Sequence, residues 1–498
     1  MSFIKGIDRN QKIMFPEYIE DYISEDNPIR VIDEYVDTLN FEKLGFTKTK
    51  EFRRGAPGYH TSTLLKLYLY GYIYGIRSSR KLESETKRNI EVIWLLRKLQ
   101  PDFKTIADFR KDNKISLKIV FKDFTLLCKQ LELYGETLIA IDGTKIKAAN
   151  SKRNNFNQKK IDRQIKYIDE KTAEYLMALE RSDSNEEIYE RYTAEQLNKK
   201  IELMKQRREQ YEQLSKRLEE TGETEISTID PDSRLMENKK NGLEMAYNLQ
   251  TVVDSKHSLI VDYDITTNAA DQGNLNTMAE KAKEIFGKDE IEALADKGYY
   301  QADDLKRCKQ NKTTTYVAKQ SYANSTNDRD FYADKFKYDK DRDLYICPAN
   351  QELRRIKHRK EDVKQVKYKN NDACENCELK TRCTTAKSGR IISRSEDQDF
   401  LDTVDARTQE NMEKYLRRQM IVEHPFGTIK RAMNASYYLC RGKEAVSTET
   451  ALILLAYNLK RVINILGVVN LRRKIAEFRA TFLRNFENKL FMSKILNF

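Results

Sequence analysis

The sequence contains few of the residues that end or cross-link secondary structure. Its 498 residues include 17 glycines and 7 prolines, which excludes fibrous and low-complexity architectures. Seven cysteines are too few for a disulfide-stabilised scaffold in a chain of this length. The sequence has no run of 18 apolar residues, and its first residues have no apolar segment of the secretory type. We therefore expect neither a membrane span nor a signal peptide, and a cytoplasmic location.

Charged residues are abundant instead, and the basic ones are in excess. Lys and Arg number 90 against 78 Asp and Glu, which gives a formal net charge of +12. This excess favours a polyanionic partner, most commonly nucleic acid, although an ordinary basic cytosolic protein fits the charge equally well. The apolar fraction of 39% is sufficient for a folded protein, and the length predicts two to four domains.

Hydrophobic periodicity separates four regions from a central core. Apolar residues at helical spacing predict an all-α domain over 1–130, in which 78–89 is the candidate DNA-contacting segment and helical packing or dimerisation is the alternative role. Residues 156–227 are rich in Lys, Glu, Gln and Arg and predict a coiled-coil-like helical hairpin, for which a solvated spacer is the alternative. Residues 321–395 form a Cys-rich insertion, and 467–498 form a basic amphipathic tail.

Strand-like runs alternate with amphipathic helices in the predicted core, which comprises three segments: 131–155, 228–320 and 396–466. One short apolar run ends at Asp142 and another at Asp296, and both are typical of buried strands. Residues 402–434 are predicted to be helical around a break at Pro425. This alternation predicts a mixed α/β sheet.

Three acidic residues stand out by their positions: Asp142, Asp296 and Glu423. Carboxylates at the carboxyl ends of neighbouring strands converge at one edge of a sheet, where ligands bind. Carboxylate oxygens suit Mg²⁺ or Mn²⁺, and two such ions activate a water or a 3′-hydroxyl in phosphodiester chemistry. Any one of these acids alone is more often a cap or turn residue, so the indication comes from the ordered set in a basic chain.

The segments around these acids are AIDGTKIKAANSKRNNF, ALADKGYY and RRQMIVEHPFGTIKRAM. They resemble the DDE transposases of bacterial insertion sequences, over roughly residues 15–465. The resemblance implies an α/β fold: an RNase H-like mixed-sheet core with an all-α N-terminal domain, a helical-hairpin insertion and a small zinc-ribbon-like insertion. It also implies that Asp142, Asp296 and Glu423 bind two metal ions, Mg²⁺ or Mn²⁺.

Basic residues near the acids are candidates for holding a phosphate, because negative charge accumulates on a transferring phosphodiester. One subgroup of the family carries a Y-x2-R-x3-E-x6-K signature, and Glu423 and Lys430 keep its E-x6-K spacing. Tyr415 and Arg418 keep Y-x2-R, but Arg418 lies five residues before the glutamate rather than four. The candidate phosphate- and DNA-binding residues are Lys430, Arg431, Arg418, Tyr415, Lys145 and Lys147.

Four of the seven cysteines are clustered: Cys347, Cys374, Cys377 and Cys383. A Cys-x2-Cys pair with two further thiols within 40 residues is typical of tetrahedral structural zinc. The alternative is a small insertion whose cysteines remain free.

The sequence therefore predicts a transposase that binds the terminal inverted repeats of its element and catalyses hydrolysis and strand transfer. Its partners would be double-stranded DNA, at element ends and target sites, and a second copy of the chain, in the bacterial nucleoid. Two alternatives remain open: a nuclease with the same core that does not join DNA, and a catalytically inactive DNA-binding regulator.

Overall fold

The computed structural model describes residues 18–47, 58–184, 193–238, 242–319, 324–356 and 365–485. The last part of the predicted tail, 486–498, lies outside the described residues.

The N-terminal region is helical, as predicted. Its helices are α1 (Ile29–Thr38), α2 (Thr61–Ile73), α3 (Ser79–Arg88), α4 (Ile90–Leu95), α5 (Phe103–Asp112) and α6 (Lys114–Gln130). Side-chain caps define three of their starts: His60 accepts a hydrogen bond from a backbone N–H group at the start of α2, and Asn89 and Asp102 do so for α4 and α5. The tyrosines of α2 pack into the core at Tyr68, Tyr70 and Tyr72.

After β1 (Leu138–Lys147) the chain leaves the core as a helical hairpin. The hairpin consists of β2 (Asn155–Phe156), α7 (Gln158–Ser184), α8 (Ala194–Thr221) and β3 (Ile226–Ser227). An ion pair between Asp169 and Arg208 at 2.8 Å joins the two helices, which pack antiparallel. A small separate core closes the base of the hairpin, and it contains Phe156, Ile161, Leu218 and Ile226.

The central sheet has six strands. The chain next forms β4 (Arg234–Asn238), β5 (Gly242–Asp254), β6 (Ile260–Thr266), α9 (Leu275–Phe286), β7 (Ile291–Ala295), α10 (Ala302–Gln310) and β8 (Thr313–Val317). The strand order is β4-β5-β1-β7-β8, and β6 also pairs with β5. β1, β7 and β8 are parallel, whereas β5 is antiparallel to β1. The mixed α/β sheet is therefore confirmed.

The prediction that Asp142 ends its strand was wrong. β1 runs on to Lys147, because it stays paired with β5 over nine register positions, from Ile139 opposite Asp254 to Lys147 opposite Ala246. Pairing between β1 and β7 nevertheless stops at Ile141. Asp142 therefore lies where the parallel pairing of β1 with β7 ends and only its antiparallel pairing with β5 continues.

The Cys-rich region forms its own antiparallel sheet. Its elements are β9 (Lys337–Asp339), β10 (Leu344–Ile346), β11 (Glu352–Ile356), β12 (Gln365–Lys369), α11 (Asn371–Glu375), α12 (Lys380–Cys383) and β13 (Ile392–Ser395). Consecutive strands are neighbours throughout this sheet. A small core that includes Phe336, Tyr345 and Tyr368 is separate from the main one.

The last elements are α13 (Gln398–Glu410), α14 (Met412–Gly427), α15 (Lys443–Leu466) and α16 (Val468–Asn485). The predicted helix break at Pro425 was wrong, because α14 continues through this proline to Gly427. A π-helical turn over Thr428–Ala432 follows, and the actual break lies at Asn411, between α13 and α14. No single described helix is long and apolar enough to span a membrane, although the bent pair Lys443–Leu466 and Val468–Glu477 meets that test jointly.

One hydrophobic core connects the N-terminal helices with the sheet. It contains buried residues from Ile23 to Ile475. Within this core, Arg77 and Glu449 form a buried ion pair at 3.0 Å. Arg77 also donates to the carbonyl oxygen of Tyr437, and Glu449 accepts from the backbone N–H groups of Leu439 and Cys440. The pair thus ties the loop after α2 and the loop before α15 to one buried carboxylate.

We predict that Glu449→Gln destabilises the protein by about 3–5 kcal/mol, because it leaves the buried guanidinium of Arg77 without its counter-charge. Urea unfolding followed by circular dichroism measures the shift. Glu83→Gln is the control, because Glu83 pairs with the exposed Lys87 and should contribute less than about 1 kcal/mol. Equal destabilisation by the two substitutions would contradict the role given to the buried pair.

Candidate active site

The register of two parallel strands places Asp142 and Asp296 next to each other. β1 and β7 pair up to Ile141 and Ala295, so the two aspartates are the next residues on their respective strands. Asp296 begins a one-turn 3₁₀ helix, and its Oδ1 accepts a hydrogen bond from the N–H of Gly298 at 2.7 Å. The first two acids of the sequence prediction are therefore neighbours at the edge where the parallel strands end.

A third aspartate, Asp271, lies beside them, and the sequence analysis missed it. It belongs to the loop between β6 and α9. Its Oδ1 accepts hydrogen bonds from the side-chain amides of Asn248 and Gln250, at 2.7 and 2.8 Å, and both of these residues are on β5. Lys145 Nζ lies 3.3 Å from each oxygen of the carboxylate. We refer to Asp142, Asp271 and Asp296 as the aspartate cluster.

Gly143 and Gly298 have no side chains, and this makes room for the aspartate cluster. A Cβ atom at Gly143 would stand 2.4 Å from Asp271 Oδ1 and 2.4 Å from Gln250 Nε2. A Cβ atom at Gly298 would stand 2.8 Å from Asp296 Oδ1 and 3.5 Å from Asp271 Oδ2. Because any larger residue would displace these groups, the glycines permit the close approach of Asp271 to the backbone beside Asp142 and Asp296.

The carboxylates of the aspartate cluster repel one another, and burial and this repulsion together raise the pKa of Asp142. Burial and the charge of Asp296 raise the pKa of Asp142 to about 7, and Asp271 adds to the increase. Arg418 opposes it by favouring the ionised form. Burial and the three aspartates also raise the pKa of Tyr299 well above its usual value, and its hydroxyl donates to Gln250 Oε1. The concentrated negative charge of the three aspartates favours binding of a cation between them.

Glu423, the third acid of the sequence prediction, belongs to α14. Its side chain is exposed, and its carboxylate accepts a hydrogen bond from Gln419 at 2.8 Å. Arg418 is instead the α14 residue whose charge acts on Asp142. Five residues separate Arg418 from Glu423, a rotation of about 140° around a helix, so the two side chains point in different directions. Tyr415 packs against the main core, and the guanidinium of Arg418 lies 5.9 Å from its ring centre.

The other predicted basic residues differ in their distance from the cluster. Lys430 reaches β1, where its ammonium group donates to the hydroxyl of Thr144 and lies 3.4 Å from the carbonyl oxygen of Lys145. The ammonium group of Lys430 therefore lies beside Thr144, which is two residues along β1 from Asp142. Lys147 and Arg431 are exposed, and neither has a described contact with the cluster.

Among the residues that the structure describes, no group of three or more acidic, histidine or cysteine side chains has the spacing of a bound metal. The donor set of the aspartate cluster nevertheless fits a hard divalent cation, because it consists of carboxylate oxygens that repel one another. Asn248 is fully buried beside them, and its Oδ1 has no hydrogen-bond partner in the described protein. An ion would satisfy both the repelling charges and this amide oxygen.

The four clustered cysteines line one small cavity. Cys347, Cys374, Cys377 and Cys383 all contribute to its wall. Burial raises the pKa of the Cys383 thiol to about 11, and the other three cysteines add to the increase because they are close to it. The fold therefore brings together thiols that lie up to 36 positions apart in the sequence, from Cys347 to Cys383.

Two family models match the chain. Residues 17–112 match a model described as a transposase domain (DUF772), and residues 346–463 match one described as a transposase DDE domain. The second match includes Glu423 and the four clustered cysteines, whereas Asp142 and Asp296 precede it. No curated protein and no solved structure matches the chain. The first match covers most of the N-terminal helices, and the second runs from the Cys-rich insertion into α15. Both models describe transposase domains, and together they support an insertion-sequence DDE transposase.

Proposed function

We propose that this transposase cleaves and joins DNA at the aspartate cluster, with Mg²⁺ or Mn²⁺ as cofactor. The observation that carries the proposal is the adjacency of Asp142 and Asp296 where the parallel pairing of β1 with β7 ends. Two ions bound there would activate a water or a 3′-hydroxyl and stabilise the leaving oxygen. Asp142 and Asp296 would bind them, and Glu423 is retained as the third carboxylate that the family resemblance implies.

The basic side chains near the cluster would hold the scissile phosphate. Lys430 is anchored against Thr144, and Arg418 acts on Asp142, so both provide positive charge close to the acids. Fixed cations at such positions stabilise the charge that develops on the non-bridging oxygens of a phosphodiester. Lys145, Lys147, Arg431 and Tyr415 complete the proposed DNA-binding set.

An RNase H-like core is part of the proposal. Support comes from the strand order of the central sheet, in which antiparallel β5 flanks β1 while β7 and β8 continue the sheet in parallel on the other side. The domain division is also retained: N-terminal helices, interrupted core, helical hairpin, Cys-rich insertion and basic tail. Each insertion has a small core of its own.

The N-terminal helices would bind the terminal inverted repeats. Helix α3 supports this role because four of its basic side chains are exposed: Arg80, Lys81, Lys87 and Arg88. Phosphate contacts from such a surface give affinity and orientation on the duplex. Two element ends must be held together for joining, so we propose at least a dimer on DNA, acting at the nucleoid of a bacterial cytoplasm.

The clustered thiols are proposed to bind a structural zinc ion. Support comes from the single cavity that Cys347, Cys374, Cys377 and Cys383 share. Thiolates are the preferred ligands of a closed tetrahedral zinc site, and zinc lowers the pKa of thiols that bind it.

Asp296→Asn should abolish both cleavage and joining of DNA that carries the flanks of the gene, assayed with Mg²⁺ and Mn²⁺ on sequencing gels. Asp289→Asn is the matched control, because Asp289 is an exposed aspartate before β7 and should retain activity. Glu423→Gln tests the third carboxylate in the same assay. Cleavage without joining by the wild type would identify a nuclease, binding without cleavage an inactive regulator, and cleavage by Asp296→Asn a different active site.

Asp142 should make the metal-free protein less stable as the pH rises. Its folded-state pKa of about 7 exceeds the ordinary value of 3.8, so its stabilising contribution is complete below about pH 4 and is lost as the pH rises through 7. In EDTA, Asp142→Asn should therefore be more stable than the wild type at pH 8, by at most about 4 kcal/mol, and this difference should vanish near pH 4. Urea unfolding across this range measures it, and a pH-independent difference would contradict the raised pKa.

Cys374→Ser and Cys383→Ser should reduce bound zinc from one ion per chain to none, measured by atomic emission after purification without added metal. Cys440→Ser is the control, because Cys440 lies against the main core, away from the cavity. Wild-type protein that contains no zinc, or variants that keep it, would show that the four thiols are not zinc ligands.

A further inference from the structure

The aspartate cluster contains one carboxylate that the family resemblance does not assign. We propose that Asp271 is a metal-binding carboxylate of this centre, and that the amide oxygen of Asn248 binds the same ion. The inference rests on the proposed function, since it adds ligands to the metal centre at Asp142 and Asp296.

The first support is the way in which Asp271 is held. Lys145 contacts both of its oxygens. Oδ1 also accepts hydrogen bonds from two amides of β5, whereas Oδ2 lies on the Gly298 side, towards Asp296. A carboxylate oxygen can accept more than one interaction, so Oδ2 retains capacity for an ion. Asp271 is therefore fixed in orientation before any metal binds.

The second support is an unpartnered buried oxygen. Asn248 is fully buried, and its Nδ2 donates to Asp271 Oδ1 and to the carbonyl oxygen of Asn268. These bonds orient the amide, and its Oδ1 has no hydrogen-bond partner within the described part of the chain. It would lie 3.1 Å from a Cβ atom at Gly143, in the same space that Asp271 Oδ1 borders. A buried acceptor without a partner is costly, and a cation would satisfy it.

The third support is the positively charged side chain of Lys145 beside Asp271. The ammonium group of Lys145 is 3.3 Å from both oxygens of Asp271. This position therefore attracts positive charge in the folded chain. A divalent ion binding Asp271 would compete with Lys145, and the released ammonium would be available to a DNA phosphate.

The test is Mn²⁺ binding to the full-length protein without DNA, measured by electron paramagnetic resonance of free Mn²⁺ and by calorimetry. Asp271→Asn should lose one bound Mn²⁺, or bind it at least about tenfold more weakly. Gly143→Ala should weaken the same ion, because the added Cβ displaces Asp271 while every carboxylate is kept. Asp264→Asn is the matched control. Asp264 lies on the preceding strand β6, and its carboxylate is ion-paired to Lys281 of α9.

Position is read out independently by Fe²⁺-directed hydroxyl-radical cleavage of the protein backbone. The wild type should be cut near residues 248 and 271 as well as near 142 and 296, and Asp271→Asn should lose the cuts near 248 and 271. Thermal melting in EDTA checks that each variant is folded. If Asp271→Asn does not fold, Mn²⁺ binding by Gly143→Ala decides whether Asp271 binds the ion.

Wild-type Mn²⁺ affinity and stoichiometry in the folded variants would overturn the assignment of Asp271. If Asp142→Asn and Asp296→Asn still lose Mn²⁺ in that case, the proposed metal centre stands without Asp271. If all of these variants bind Mn²⁺ as the wild type does, the metal centre fails together with the inference.

Discussion

The parallel register between β1 and β7 is the constraint on which the candidate site depends. It brings two carboxylates of the same charge side by side where the strand pairing ends. Burial there makes ionisation costly, as the raised pKa of Asp142 reflects. The surrounding groups offset this cost: Arg418 acts directly on Asp142, while Lys145 and two amides of β5 hold Asp271. The ionised form of the aspartate cluster therefore needs nearby positive charge, which Arg418 and Lys145 provide.

That sheet is held in place by helices that are distant in sequence. Helix α15 is buried along most of its length, and Asn458 from its centre bonds both the N–H and the carbonyl group of Ile260 on β6. The same helix carries Glu449, which binds Arg77 from the N-terminal region. The helices proposed to bind DNA are thus packed on the element that supports the sheet. Such contacts allow rigid coupling between the proposed DNA-binding surface and the aspartate cluster.

The sequence predicted much of this fold but only part of the site. Short apolar runs that end in aspartate identified Asp142 and Asp296, because burial and strand period are local properties. Asp271 was missed because it lies in a polar loop just before an amphipathic helix, where an aspartate has the appearance of an ordinary turn or cap residue. Its contacts come from β5, more than twenty positions away, and no local pattern encodes them. The helix break predicted at Pro425 was wrong for the opposite reason, since packing overrode a local preference: Ile421, Val422 and Pro425 are all buried.

The helix α14 shows how the spacing of a motif constrains its geometry. In a four-residue spacing, an arginine and a glutamate share one face of a helix, whereas the five-residue spacing found here turns them about 140° apart. The charge of Arg418 acts on Asp142, and the side chain of Glu423 is exposed. Asp271 lies near Gly143 and Gly298, beside Asp142 and Asp296. A cation that binds this cluster must compete with both Arg418 and Lys145, and these side chains already lie where an incoming DNA phosphate would need positive charge.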